Sequence, residues 1–342
     1  MAEPSLNDWQ SIIRNSPYYL SQDMTDNVSV IRRWVLFSEG YCEVPDRHVL
    51  FDRRGRFLSW MSNLATEPET QQKLNRRREQ LFAEGKVEQW LPGSHVAVGY
   101  PFALACDQPH VNVAAALSRL FGDTPSERIW GTWDGMTAGS ERSPITLADV
   151  VFLVWQQRQK NLSQPLKALD FELFLAQLVI ESGAVKNAHS QDDAIGILQL
   201  RHQALQDCGI AKRFYRHRMA QVDCAVRLYV LNRRNLEPAF MARFGHLQEP
   251  KRKRLFSLLL VQTYHSGIGN MLKLLGEEAQ GEAAKYFAEH QADYSAEDIA
   301  LGLLFHNLGR EPWGWNSLYY VTDILLVESL ICQRNDGCKE EG

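Results

Sequence analysis

Apolar residues fall at Phe171, Phe174, Leu175, Leu178 and Val179, offsets that stack on one face of an α-helix and predict one running up to Glu181. Helical segments are also predicted near 203–208, 219–235, 254–264, 276–291 and 295–308. The last is opened by Ser295 with Asp298 and stopped by Gly309. Further upstream, Thr66-Glu-Pro-Glu69 has capping-box spacing and opens a charged helix that should end at Gly85, while Pro144 and Thr146 open another running to about Lys160. Strand signals are few. His48–Met61 reads as two strands turning at Asp52–Gly55, and residues 28–37 form a short apolar segment of no assigned type. Leu162-Ser-Gln-Pro165 is a natural boundary. The expected architecture is therefore mainly α, with a smaller α+β domain over residues 1–163 and a helical domain over 164–335.

Composition narrows the classes. With 45% hydrophobic and 23% charged residues the chain has the make-up of a soluble globular protein, and no apolar run approaches the length needed to cross a bilayer. A net charge of −4 argues against a nucleic-acid partner. Arg76-Arg-Arg78, flanked by glutamates, reads as a solvated face, and Lys251-Arg-Lys-Arg254 as a charged helix start. Six cysteines (Cys42, Cys106, Cys208, Cys224, Cys332 and Cys338) fit either oxidised pairs or buried thiols. None is spaced with a histidine for zinc, and no metal or other cofactor is expected. Trp130 and Trp133 lie in a stretch rich in Gly, Pro and aromatics; buried packing is the commoner fate of such rings, and stacking on sugars the alternative.

Glu181 sits at the edge of the apolar stripe near its helix end. A half-desolvated carboxyl there would resist ionisation and keep a proton to donate; a boundary glutamate facing water is the other reading. The residues that follow favour chemistry. Glu181-Ser-Gly, then Asn187-Ala-His-Ser190, then Ala194-Ile-Gly-Ile-Leu-Gln-Leu200 resemble the first two motifs of the soluble-type lytic transglycosylases, lysozyme-like enzymes that cleave peptidoglycan. Thr263-Tyr-His-Ser-Gly-Ile-Gly269 is similar to that family's third motif, and Tyr319-Tyr-Val321 to its closing one. The resemblance covers about residues 165–330.

The resemblance implies a lysozyme-like helical catalytic domain in which Glu181 alone is acid and then base. It would protonate the oxygen between N-acetylmuramic acid and N-acetylglucosamine, then take the proton from the 6-hydroxyl as that oxygen closes on C1 to leave a 1,6-anhydro end. Ser190, Gln199, Tyr264, His265 and Tyr320 fall where substrate contacts are expected. The partners implied are peptidoglycan glycan strands, in the periplasm or cell envelope, with the first domain available for a cell-envelope or secretion assembly. The opening Met1-Ala-Glu-Pro-Ser5 has neither the basic nor the apolar region of an export signal, which leaves a trimmed signal or another route to the wall.

This chain departs from the family at several positions. Ala184 stands where an aromatic is expected, Leu198 where Met is usual, His202 near the usual proline, and His265 and Ser266 for Asn and Ala. His265 would add a titration near neutral pH. Two other functions remain open at this level. One is a goose-type lysozyme-like hydrolase in which Asp192 or Asp193 activates water; the other is a non-catalytic glycan-binding scaffold.

Overall fold

The computed structural model describes residues 24–37, 44, 46–51, 57–87, 102–105, 111–160, 171–190, 192–308 and 310–334. The chain is mainly helical and divides into two compact units, one made of residues 1–110 and 277–322, the other of 111–276 and 323–342. The boundary expected at Leu162–Pro165 lies outside the described residues, as does the strand turn at Asp52–Gly55.

The first unit begins with helix α1 (Met24–Phe37), strands β1 (Arg47–Phe51) and β2 (Phe57–Ser62), helix α2 (Glu67–Ala83) and strand β3 (Phe102–Ala105). β1 is the middle strand of an antiparallel sheet and sets Val49 opposite both Trp60 and Leu104. α2 starts with the capping box predicted for it: Glu69 N–H donates to Thr66 Oγ1, and the Glu69 carboxylate takes the Thr66 N–H at 3.2 Å. It ends just before Gly85, which has a φ of 65°. Arg76 is exposed and Arg77 pairs with Glu84 at 3.7 Å, as a solvated face requires.

The second unit runs through α3 (Val113–Phe121), the hairpin β4 (Gly131–Trp133) and β5 (Met136–Ala138), α4 (Leu147–Gln159) and α5 (Phe171–Ser182). A two-residue ladder of β6 (Ala194–Ile195) and β7 (Leu200–Arg201) follows, then α6 (His202–Asp207), α7 (Arg218–Phe244), α8 (Glu249–Ser266) and α9 (Ile268–Leu275). α4 opens on a second capping box, Thr146 with Asp149. α5 is the core helix, and Leu173 through Val179 are all buried. It packs on α3, α4 and α8, and each large apolar side chain it removes from water stabilises the fold by about 1.5–3 kcal/mol. A row of ring contacts starts from it, with Phe174 touching Trp155 at 5.1 Å and Tyr229 at 5.4 Å, and Tyr229 touching Tyr264 at 5.7 Å.

Asp223 on α7, fully buried, locks α4 and the β4–β5 hairpin to this core. Its carboxylate accepts from Arg158 through both Nε and Nη2, from Arg227, and from Trp133 Nε1 at 3.0 Å. Burial pushes its pKa up, but Arg158, Arg227 and Trp133 outweigh that and leave it below the ordinary value of 3.8. Trp133 is thus tied inward by its indole N–H, while Trp130 is exposed. A disulfide joins Cys208 at the end of α6 to Cys224 on α7, and Cys332 is also disulfide-bonded, so among the described cysteines the oxidised reading holds.

The chain then returns to the first unit with α10 (Glu282–Glu289), α11 (Ala296–Asn307) and the first part of α12 (Trp315–Arg334). One helix was expected over 276–291. The segment instead holds a 3-10 turn at Ala279–Gly281 ahead of the α-helix, because Gly276 is extended with ψ −167°. Ser295 caps α11 by accepting from Asp298 N–H at 2.9 Å, and Asp298 in turn accepts from Thr25 N–H and Oγ1 of α1. Gly302 lets α10 come close, since a Cβ there would meet the Phe287 ring at 2.3 Å. Among the described residues no helix is long and apolar enough to cross a membrane.

Candidate active site

Glu181 is the second-last residue of α5 and is half-buried, as its place at the edge of the apolar stripe predicts. The helix stops because Gly183 and Ala184 both turn left-handed, at φ 62° and 60°. Glycine takes this conformation readily, whereas an alanine does so at a cost of about 1–2 kcal/mol. Arg119 of α3 fixes the turn by donating from Nε to Gly183 O at 2.7 Å.

The chain leaves this turn, forms the β6–β7 ladder and comes back past Glu181. Each carbonyl from Gly196 to Leu198 accepts a side-chain donor. Ser182 Oγ donates to Ile197 O at 2.7 Å, Tyr264 Oη to Leu198 O at 2.7 Å, and Gln199 Nε2 to Gly196 O at 2.9 Å. Behind them the buried amide of Gln221 serves three backbone groups. It accepts from Leu198 N–H at 3.2 Å and donates to Ile195 O at 2.9 Å and Tyr215 O at 2.7 Å. Gly196, at φ 75°, makes room for it: a Cβ there would lie 2.0 Å from Gln221 Nε2. The segment facing the end of α5 is a rigid wall, because a neutral hydrogen bond contributes about 1 kcal/mol net and costs more when a buried partner is left bare.

Two stacked phenols complete the surroundings of Glu181. Tyr229 and Tyr264 lie with ring planes 19° apart. Tyr229 is fully buried and donates to Gln177 Oε1, one turn before Glu181 on the same helix. Burial raises both phenol pKa values well above 10, and the charge of Glu181 raises them further, Tyr229 adding to the effect on Tyr264. The carboxyl and the two rings therefore share one poorly solvated neighbourhood.

The other predicted residues are placed as follows. Ser190 is half-buried in the turn, and its Oγ accepts from Asp192 N–H at 3.2 Å and Ala194 N–H at 3.1 Å, which leaves its O–H as a donor. Gln199, at φ 44°, spends Nε2 within the wall and keeps Oε1 as an acceptor. His265, one residue past Tyr264, is exposed as a residue. Its imidazole is nevertheless held below the ordinary 6.5 by desolvation. Asp192 and Asp193 stand exposed in the turn that Ser190 N–H closes onto Ala194 O, just before β6, with Asp193 paired with His189 at 3.4 Å. Tyr320 is buried on α12 and belongs to the first unit.

Sequence reasoning missed Tyr229, Gln221 and Gln177. Tyr229 and Gln221 lie on a helix predicted only as a helix, and Gln177 inside an apolar run; a polar residue at a core position was the signal for each. Among the described residues no group of His, Cys, Asp and Glu could hold a metal ion. No protein-family model matches this chain, and a search of curated proteins finds no match.

Proposed function

We propose that the protein is a peptidoglycan lytic transglycosylase, a lyase cutting between N-acetylmuramic acid and N-acetylglucosamine with Glu181 as its single acid and base. The observation that carries this reading is the half-buried Glu181 whose charge is felt by Tyr229 and Tyr264, beside a wall whose backbone is pinned by its neighbour Ser182 and by that same Tyr264. A carboxyl held among phenols and packed rings is suited to giving up a proton to a glycosidic oxygen and taking one back, because little water competes for it. The acetamido group of the substrate stabilises the charge that develops at C1, and the 6-hydroxyl closes on that carbon to give the 1,6-anhydro end.

The wall supplies orientation. With its backbone fixed, Gln199 Oε1 and the Ser190 hydroxyl are set as one acceptor and one donor for sugar and acetamido atoms. Tyr264 acts through the wall, since its hydroxyl is committed to Leu198 O. The domain is thus read as lysozyme-like and the protein as acting in the periplasm or cell envelope. The Cys208–Cys224 bridge supports an oxidising compartment.

Turbidity clearing of purified sacculi tests the assignment. The parent should solubilise the wall, and Glu181→Gln, nearly isosteric and unable to donate, should lose at least about a thousandfold in rate. Clearing by Glu181→Gln at the parental rate would overturn it.

A further inference from the structure

Beside the β6–β7 wall the second unit carries a group of cations with no salt bridge among the described residues. Lys186 follows Glu181 by five residues, and Lys212, Arg213, Arg216 and Arg218 lie in and just after the 3-10 turn Lys212–Phe214. None of the five makes an ion pair among the described residues, in a chain whose net charge is −4. The two stretches meet: Arg216 Nη1 donates to Asn187 O at 3.1 Å, and Gln221 joins Tyr215 O to Ile195 O of the wall. The charges of Lys186 and Arg218 also reach His217, whose pKa is lowered first by burial and then by these two cations.

Between the cations lies a half-exposed cluster of rings. Trp133 contacts Phe214 and His217, each at 5.4 Å, and the Arg213 guanidinium lies 4.8 Å over Phe214. Opposing charges in this unit are Glu127, felt by Arg218, the buried Asp223 already bonded to Trp133, Arg158 and Arg227, and the exposed Asp192 and Asp193 in the turn between Ser190 and Ala194. Unpaired cations left this close together repel one another, at a cost that an anionic ligand would relieve.

We infer that this surface, formed by Lys186 together with Lys212, Arg213, Arg216 and Arg218, binds the carboxylate-bearing peptides attached to the glycan strand while the wall holds the sugars. The inference rests on the function proposed above. An acidic peptide branch suits the site because the cations border the wall and an anion there must be within reach of a strand lying along it. Screened surface charges of this kind, Arg218 half-buried and the others exposed, contribute selectivity and rate of capture more than raw affinity.

The test is co-sedimentation of the Glu181→Gln protein, which on the proposed function should bind without cutting, with intact sacculi and with sacculi stripped of peptides by an amidase. The parent sequence should prefer intact walls, and rising salt should erase the preference. Adding Lys186→Glu and Arg213→Glu should weaken binding to intact walls about tenfold and leave binding to stripped glycan unchanged. Lys186→Gln with Arg213→Gln provides an intermediate loss and a check on folding by its melting temperature. Equal binding of all variants to intact walls, equal loss on both substrates, binding to neither wall form, or retention on duplex DNA in preference to walls would each overturn the inference. Clearing assays with Glu181 restored keep the two ideas apart. If Glu181→Gln still clears the wall, the cleavage reading fails whatever the cations do; if clearing depends on Glu181 but charge reversal leaves intact-wall binding untouched, only the peptide site fails.

Discussion

Gly196→Ala tests whether the wall facing Glu181 is held by the Gln221 amide. The new methyl would sit 2.0–2.4 Å from the Gln221 amide atoms, so that side chain must leave. Leaving removes three buried hydrogen bonds, to Ile195 O, Tyr215 O and Leu198 N–H. At about 1 kcal/mol each this is about 3 kcal/mol, and an alanine at φ 75° adds about 1–2 kcal/mol of backbone strain. Gly196→Ala should therefore cost about 4–5 kcal/mol, and Gln221→Ala about 3–5 kcal/mol including the space it vacates. The double variant loses the same three bonds only once and keeps only the strain as its extra cost. Urea unfolding of the four proteins should show the double variant more stable than the sum of the singles predicts by about 3 kcal/mol. Additivity within about 0.5 kcal/mol would refute the reasoning, because the two residues would then not compete for the same space.

The remaining predictions concern the supports around that wall. Asp223→Asn leaves Arg158 and Arg227 facing a neutral amide and should cost about 3–5 kcal/mol in chemical unfolding. Because the Asp223 pKa is below its unfolded 3.8, its contribution is complete above that value and is lost as pH falls through the folded pKa; parent and Asp223→Asn melting curves should converge in acid and diverge at neutral pH. Replacing Cys208 and Cys224 by serine reopens a loop closed across a sequence separation of 16 and should cost about 3 kcal/mol by thermal melting, with reductant destabilising the parent by more than it does the variant, which keeps the Cys332 disulfide. His265, with its folded pKa below 6.5, contributes stability above pH 6.5 that is lost as pH falls through the folded value. His265→Asn should flatten the melting temperature profile on the acid side, and a profile parallel to the parent's would contradict this.

Local signals in the sequence were reliable wherever the physics is local. Thr66 and Thr146 each bond the backbone three residues on, and a rule about cap spacing sees that directly. The strand pair around His48–Met61 and the half-buried position of Glu181 follow equally from neighbouring residues. What escaped is held by partners far along the chain. Asp223 reads as one more polar residue in a helix until Trp133 and Arg158 are brought to it from 90 and 65 residues away. Gly196 looks like a turn glycine, yet its need to be glycine comes from Gln221. An amphipathic reading of α5 also understates its burial, because Gln177 is as deeply enclosed as the apolar residues beside it.

The account depends above all on Glu181 returning the 6-hydroxyl proton rather than activating water. Mass spectrometry of fragments released from purified sacculi in ¹⁸O-labelled water decides this. The account predicts 1,6-anhydro ends without label, formed by the parent and lost with Glu181→Gln. Reducing ends carrying one ¹⁸O would contradict it.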